Sequence, residues 1–176
     1  MKGKLGIFLL IFCLNSFSQQ KGSKLDVQLF KNATYYTIFG DTVVKLKDGS
    51  FVLEERDKDG FLVNYLSVEL YEEKVAMGDV DGDGDIDAVV ILRCSGGGSG
   101  TFYEVAVMSN ENGKPRYLTG ELLGDRIKVS AVKILQDGSI LLDMIVHGPD
   151  DPQCCPTVRK VQHYKILEGK LQIIER

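Results

Sequence analysis

Gly78-Asp79-Val80-Asp81-Gly82-Asp83-Gly84-Asp85-Ile86-Asp87 runs directly into Ala88-Val89-Val90-Ile91-Leu92. Five aspartates occupy alternate positions within nine residues, and an apolar, β-branched run follows without a break. Carboxylates this close repel one another, and a hard dication bound through oxygen removes that repulsion. Counted from Asp79, carboxylates stand at positions one, three and five (Asp79, Asp81, Asp83). Gly84 stands at six, where the chain must turn sharply. Asp85 at seven offers its backbone carbonyl, and Asp87 at nine offers a carboxylate directly or through water. This is the donor pattern that Ca2+ accepts. An EF-hand would need a bidentate Glu at position twelve, but Val90 stands there inside the apolar run. The loop therefore feeds a strand, not a helix.

The residues on either side read the same way. Lys47-Asp48-Gly49-Ser50 separates Thr42 to Leu46 from Phe51 to Glu54. Gln136-Asp137-Gly138-Ser139 separates Val132 to Leu135 from Ile140 to Leu142, and Glu168-Gly169-Lys170 separates Tyr164 to Leu167 from Leu171 to Ile174. Asp-Gly and its kin between β-rich runs signal hairpins, because tight hairpin turns need positive φ. Asp57-Lys58-Asp59-Gly60 and Glu111-Asn112-Gly113-Lys114 read as looser turns. The fold class expected is mainly β: one antiparallel β-rich domain, a sandwich or a twisted sheet of hairpins. Tyr65 to Met77 fits a helix or a strand about equally. A single aspartate loop with no second copy gives no repeat array and no propeller.

The N-terminus reads as a signal peptide over residues 1–18. Lys2 and Lys4 precede the apolar run Leu5 to Leu14, and Ser16 and Ser18 mark a small-residue cleavage site. A lead-in follows over 19–33, then the β-rich domain over 34–176 with its calcium loop at 79–87. Within the lead-in, the apolar patch Leu25, Val27, Leu29 and Phe30 suggests a short strand or one helical turn. The expected location is secreted or periplasmic. Leu10-Ile11-Phe12-Cys13 loosely resembles a lipobox, but Phe12 is large where a small residue is usual, so lipid anchoring is the lesser reading. No transmembrane helix is expected in the mature chain. Losing Lys2 and Lys4 takes the formal charge from −4 to −6. With no basic patch or arginine stripe, nucleic acid is not an expected partner.

Three cysteines remain after such a cut: Cys94, Cys154 and Cys155. Export favours oxidation, so a disulfide from Cys94 to Cys155 (or Cys154) is expected, with a vicinal Cys154–Cys155 bridge as the rarer arrangement. A transition metal on His147, Cys154, Cys155 and His163 is the competing reading, but the spacing matches no established zinc pattern. Ser95-Gly96-Gly97-Gly98-Ser99-Gly100 lacks the Lys-Ser/Thr ending of a phosphate-binding loop and reads as a hairpin connection.

The aspartate loop with its hydrophobic strand resembles the calcium loops of FG-GAP and VCBS-type repeats, over about fifteen residues. A broader pattern joins the loop, the strand Ala88 to Leu92, Cys94, the glycine-rich loop, Thr101-Phe102 and Cys154-Cys155-Pro156-Thr157. It is similar to uncharacterised bacterial exported proteins, including lipoproteins of the LppP/LprE type. That resemblance implies an envelope or extracellular location and supplies no catalytic residues. The expected function is a non-enzymatic, Ca2+-binding interaction or structural module with an unknown protein or glycan ligand. The alternative is an envelope enzyme or enzyme inhibitor whose site lies in the 95–100 and 147–156 loops.

Overall fold

The computed structural model describes residues 26–175. The expected signal peptide, Cys13 and the first part of the lead-in lie outside the described residues. Among the described residues the fold is mainly antiparallel β, with no closed barrel. The described residues form one helical turn and eleven strands: α1 Val27–Phe30, β1 Thr34–Thr37, β2 Thr42–Lys45, β3 Ser50–Arg56, β4 Leu62–Gly78, β5 Asp87–Ser95, β6 Phe102–Glu111, β7 Lys114–Asp125, β8 Lys128–Ile134, β9 Ile140–Val146, β10 Val158–Leu167 and β11 Lys170–Ile174. Strands β3 to β7 form a five-stranded meander, β8 to β11 a four-stranded meander, and β1 and β2 a separate ribbon.

β5 lies at the centre. Ala88, Val90, Leu92 and Cys94 point into one core, shared with Phe30, Tyr35 and Val44 of α1 and the ribbon. Val89 and Ile91 point into a second core, shared with Ile140, Leu142, Met144 and Tyr164 of the four-stranded sheet. The five-stranded sheet is therefore covered on both faces. This explains why Ala88 to Leu92 is continuously apolar, although an antiparallel strand more often alternates. The region Tyr65 to Met77 is strand: it lies within β4, which breaks register between Leu70 and Val75. The lead-in patch supplies the single turn α1, capped by Asp26, whose side chain accepts the Gln28 N–H.

Most turns form as the sequence predicts. Glu168 and Gly169 both take positive φ and join β10 to β11. Asn112-Gly113 does the same between β6 and β7, so this turn is tight rather than loose. Asp48-Gly49 is the exception. The turn forms with positive φ at both residues, but the runs on either side do not pair as a hairpin. β2 pairs with β1 and β3 pairs with β4, leaving only the bridge Lys47 to Ser50. Among the described residues no helix is long and apolar enough to cross a membrane.

Candidate metal centre and the opposite loops

The acidic loop joins β4 to β5. Asp79, Asp81, Asp83 and Asp87 each present a carboxylate oxygen, and these oxygens lie within 4.8 Å of one another. This cluster could hold a metal ion. The Asp85 carboxylate is not part of it, leaving its carbonyl as the only donor the sequence pattern assigns to that residue.

The backbone folds the loop around these groups. Asp79 accepts N–H bonds from Gly82 (2.7 Å) and Gly84 (3.1 Å). Asp81 accepts from Asp83 N and Asp83 from Asp85 N. Gly82 and Gly84 take φ of +85° and +91°, conformations that side chains with a Cβ adopt at a cost. Two anchors fix the ends. Val80 is buried in the second core, whereas Asp81 to Ile86 are exposed. Asp87 is fully buried and accepts N–H bonds from Val80 and from Asn110 of β6, each at 3.0 Å. Burial pushes the Asp87 pKa up, aided by the charges of Asp81 and Asp83, while the two N–H bonds pull the other way. A bound cation would reverse the charge contribution.

β5 carries the chain to the other end of the molecule, about 30 Å away for nine residues. The two loops singled out in the sequence meet there. Thr101 N–H, at the end of the glycine-rich loop, donates to Asp125 at 2.9 Å. Arg126 pairs with Asp125 and also donates to Gln153 in the 147–157 loop at 3.3 Å. That loop closes on Asp151, which accepts from Gly148 N, Thr157 N and the Thr157 hydroxyl, each at 2.8 Å.

The expected Cys94–Cys155 (or Cys154) bridge is not formed. Cys94 is a free, buried thiol. Its β5 position points into the first core, while Cys154 and Cys155 are exposed in the 147–157 loop and stand at disulfide distance from each other. Burial, reinforced by nearby Glu104, pushes the Cys94 pKa up to about 12. The arrangement does not gather His147, Cys154, Cys155 and His163 into a metal-binding group among the described residues.

Sequence reading missed Glu104. It lies on β6, is buried, and faces Cys94 on the first-core side of the sheet. Its carboxylate accepts from Thr37 Oγ1 (2.8 Å), Ile38 N (3.1 Å) and Phe39 N (2.7 Å), which ties the β1–β2 turn to the central sheet. The available signal was a lone acid inside the apolar run Phe102 to Val107. Comparison with protein-family models, with curated proteins and with solved structures gives no match.

Proposed function

We propose that this chain is an exported Ca2+-binding β-domain, acting as a non-enzymatic interaction or structural module of the cell envelope or extracellular space. The observation that carries the reading is the convergence of four carboxylates, from Asp79, Asp81, Asp83 and Asp87, within 4.8 Å. An all-oxygen donor set favours Ca2+ or Mg2+ over the softer transition metals. A loop that offers several carboxylates, and by its sequence pattern a backbone carbonyl, suits the larger and less demanding Ca2+. The likeness to FG-GAP and VCBS-type loops and the signal-peptide pattern support the same reading and the export.

The loop's place in the fold favours a structural role for the ion. The loop closes the β4–β5 connection, and its Val80 is part of the core between the two large sheets. Isothermal titration with Ca2+ and with Mg2+, paired with melting in EDTA, tests the proposal. One site that prefers Ca2+ and raises the melting temperature is expected. A flat titration with a melt indifferent to EDTA would overturn it.

The meeting of the 95–101 and 147–157 segments through Asp125, Arg126 and Gln153 favours a second reading. In this reading the molecule is an envelope enzyme or enzyme inhibitor that uses this end. Exposed loops held on a rigid sheet are a common place for such sites. Alanine substitution at His147 and Gln153 would then abolish an activity or a partner contact without affecting Ca2+ binding.

A further inference from the structure

One cavity shares no lining residue with the acidic loop or with the 95–101 and 147–157 loops. It is a groove of about 610 Å³ between α1, the outer face of the β1–β2 ribbon and the start of β7. Its shape follows from the ribbon's alternation. Tyr35, Thr37 and Val44 point inward and are buried, so Tyr36, Val43 and Lys45 point outward. Tyr36 and Val43 are cross-strand neighbours, and Lys45 lies opposite Thr34 in the same ladder. Leu29 of α1 forms one wall, and Pro115 and Tyr117 of β7 form the other. Val43 is 66% exposed, Leu29 39% and Tyr36 37%, so three sizeable apolar side chains share one open concavity. The volume falls in the range of small-molecule sites, roughly 300–1,000 Å³, and such sites combine apolar walls with a few polar groups.

The charge at the rim narrows the occupant. Both charged residues of the groove, Lys45 and Arg116, are basic, although the chain as a whole is acidic. Arg116 is already paired with Glu111. Lys45 has no carboxylate partner among the described residues. A neutral apolar ligand would desolvate that ammonium without compensation, a cation would be repelled, and an anion would pair with it. We propose that this groove binds a small amphipathic carboxylate, with its apolar body on Leu29, Val43 and Pro115 and its acid group on Lys45.

Fluorescence titration of the purified protein with cis-parinaric acid, run beside its methyl ester, tests this. The acid should give saturable one-to-one binding, at least about tenfold tighter than the ester, as a charge-assisted contact warrants. Val43→Glu should abolish binding, and Lys45→Ala should bring the acid down to the level of the ester. Val63→Glu, at a 62% exposed position outside the groove, should change nothing. Val43 and Lys45 are exposed, so both variants should melt like the parent. No saturable signal, equal affinity for acid and ester, or binding unaffected by Val43→Glu would overturn the proposal. Sedimentation covers the remaining occupant: a dimer that Val43→Glu dissociates, in a protein that ignores parinarate, would assign the groove to a second copy and also overturn it.

Discussion

Asp87 and Asn110 are joined across the β5–β6 end of the central sheet, Asn110 N–H donating to Asp87 Oδ1 at 3.0 Å. The other Asp87 oxygen accepts the Val80 N–H. One carboxylate thus holds two buried backbone donors and also stands in the acidic cluster. Its structural role and the metal-binding role proposed for it can be separated. Asp87→Ala should cost about 2–6 kcal/mol even in EDTA, since each of the two orphaned buried donors costs about 1–3. Asp81→Asn changes an exposed carboxylate and should leave stability in EDTA nearly unchanged while weakening Ca2+ binding at least about tenfold. Urea unfolding with and without EDTA, combined with titration, reads both effects. Equal losses in EDTA for the two variants would refute the division.

Ca2+ removal should lower stability by linkage. If the ion binds only the folded chain, a concentration one hundred times the dissociation constant adds about 2.7 kcal/mol. For a domain of this size that corresponds to roughly 5–10 °C in melting temperature. Differential scanning fluorimetry across a Ca2+ series should show a logarithmic rise. A plateau at one equivalent of very weak ligand, or no rise at all, would contradict it.

Glu104 predicts a different kind of loss. Glu104→Ala would leave the half-buried Ile38 and Phe39 N–H groups and the buried Thr37 hydroxyl without this acceptor, costing about 3–5 kcal/mol. The damage should fall first on the ribbon, because among the described residues the ribbon pairs only with itself and is held to the sheet through this carboxylate and the first core. Hydrogen exchange should show residues 34–45 losing protection ahead of β5. Uniform loss across the molecule would indicate that Glu104 does not anchor the ribbon locally.

How far the sequence could be read follows from the range of each interaction. Asn112-Gly113 and Glu168-Gly169 are legible because the turn and the two strands it joins are adjacent in the chain. Asp48-Gly49 has the same chemistry and forms its turn, but the pairing around it is decided elsewhere: Tyr35 and Tyr36 claim β2, and Leu66 and Val68 claim β3. The four clustered aspartates are legible because the whole donor set lies in nine residues. Glu104 is not, since the ribbon groups it holds are more than sixty residues away. Cys94 fails as a disulfide partner for a related reason. An odd cysteine count permits several pairings, and only the side of β5 on which residue 94 falls removes it from the choice.

The Cys94 environment can be checked directly. A thiol whose pKa is pushed up to about 12 carries almost no thiolate at pH 8, and this one is also buried. Native protein covering residues 19–176 should react with Ellman's reagent only as it unfolds. In denaturant, one thiol should label before reduction and three after it. Rapid labelling of the native protein, or a peptide mass linking Cys94 to Cys155, would reverse the assignment.

Asp151 gives the acid limb of the stability profile. The Gly148 N–H and then the Thr157 hydroxyl hold its carboxyl below the usual aspartate range. A folded-state pKa below the unfolded value of about 3.9 means that the native state binds the proton less tightly. The stabilisation is therefore complete above the unfolded pKa and drains away as pH falls through the folded one. Asp151→Asn should melt below the parent at pH 6, and the two melting curves should converge as pH falls through the folded-state value. Running the series in EDTA keeps the acidic loop at the other end of β5 from contributing its own metal-linked pH dependence. If the gap between parent and variant stays constant down to pH 2, the charge on Asp151 is not what fastens the 148–157 loop, and its hydrogen bonds act independently of ionisation.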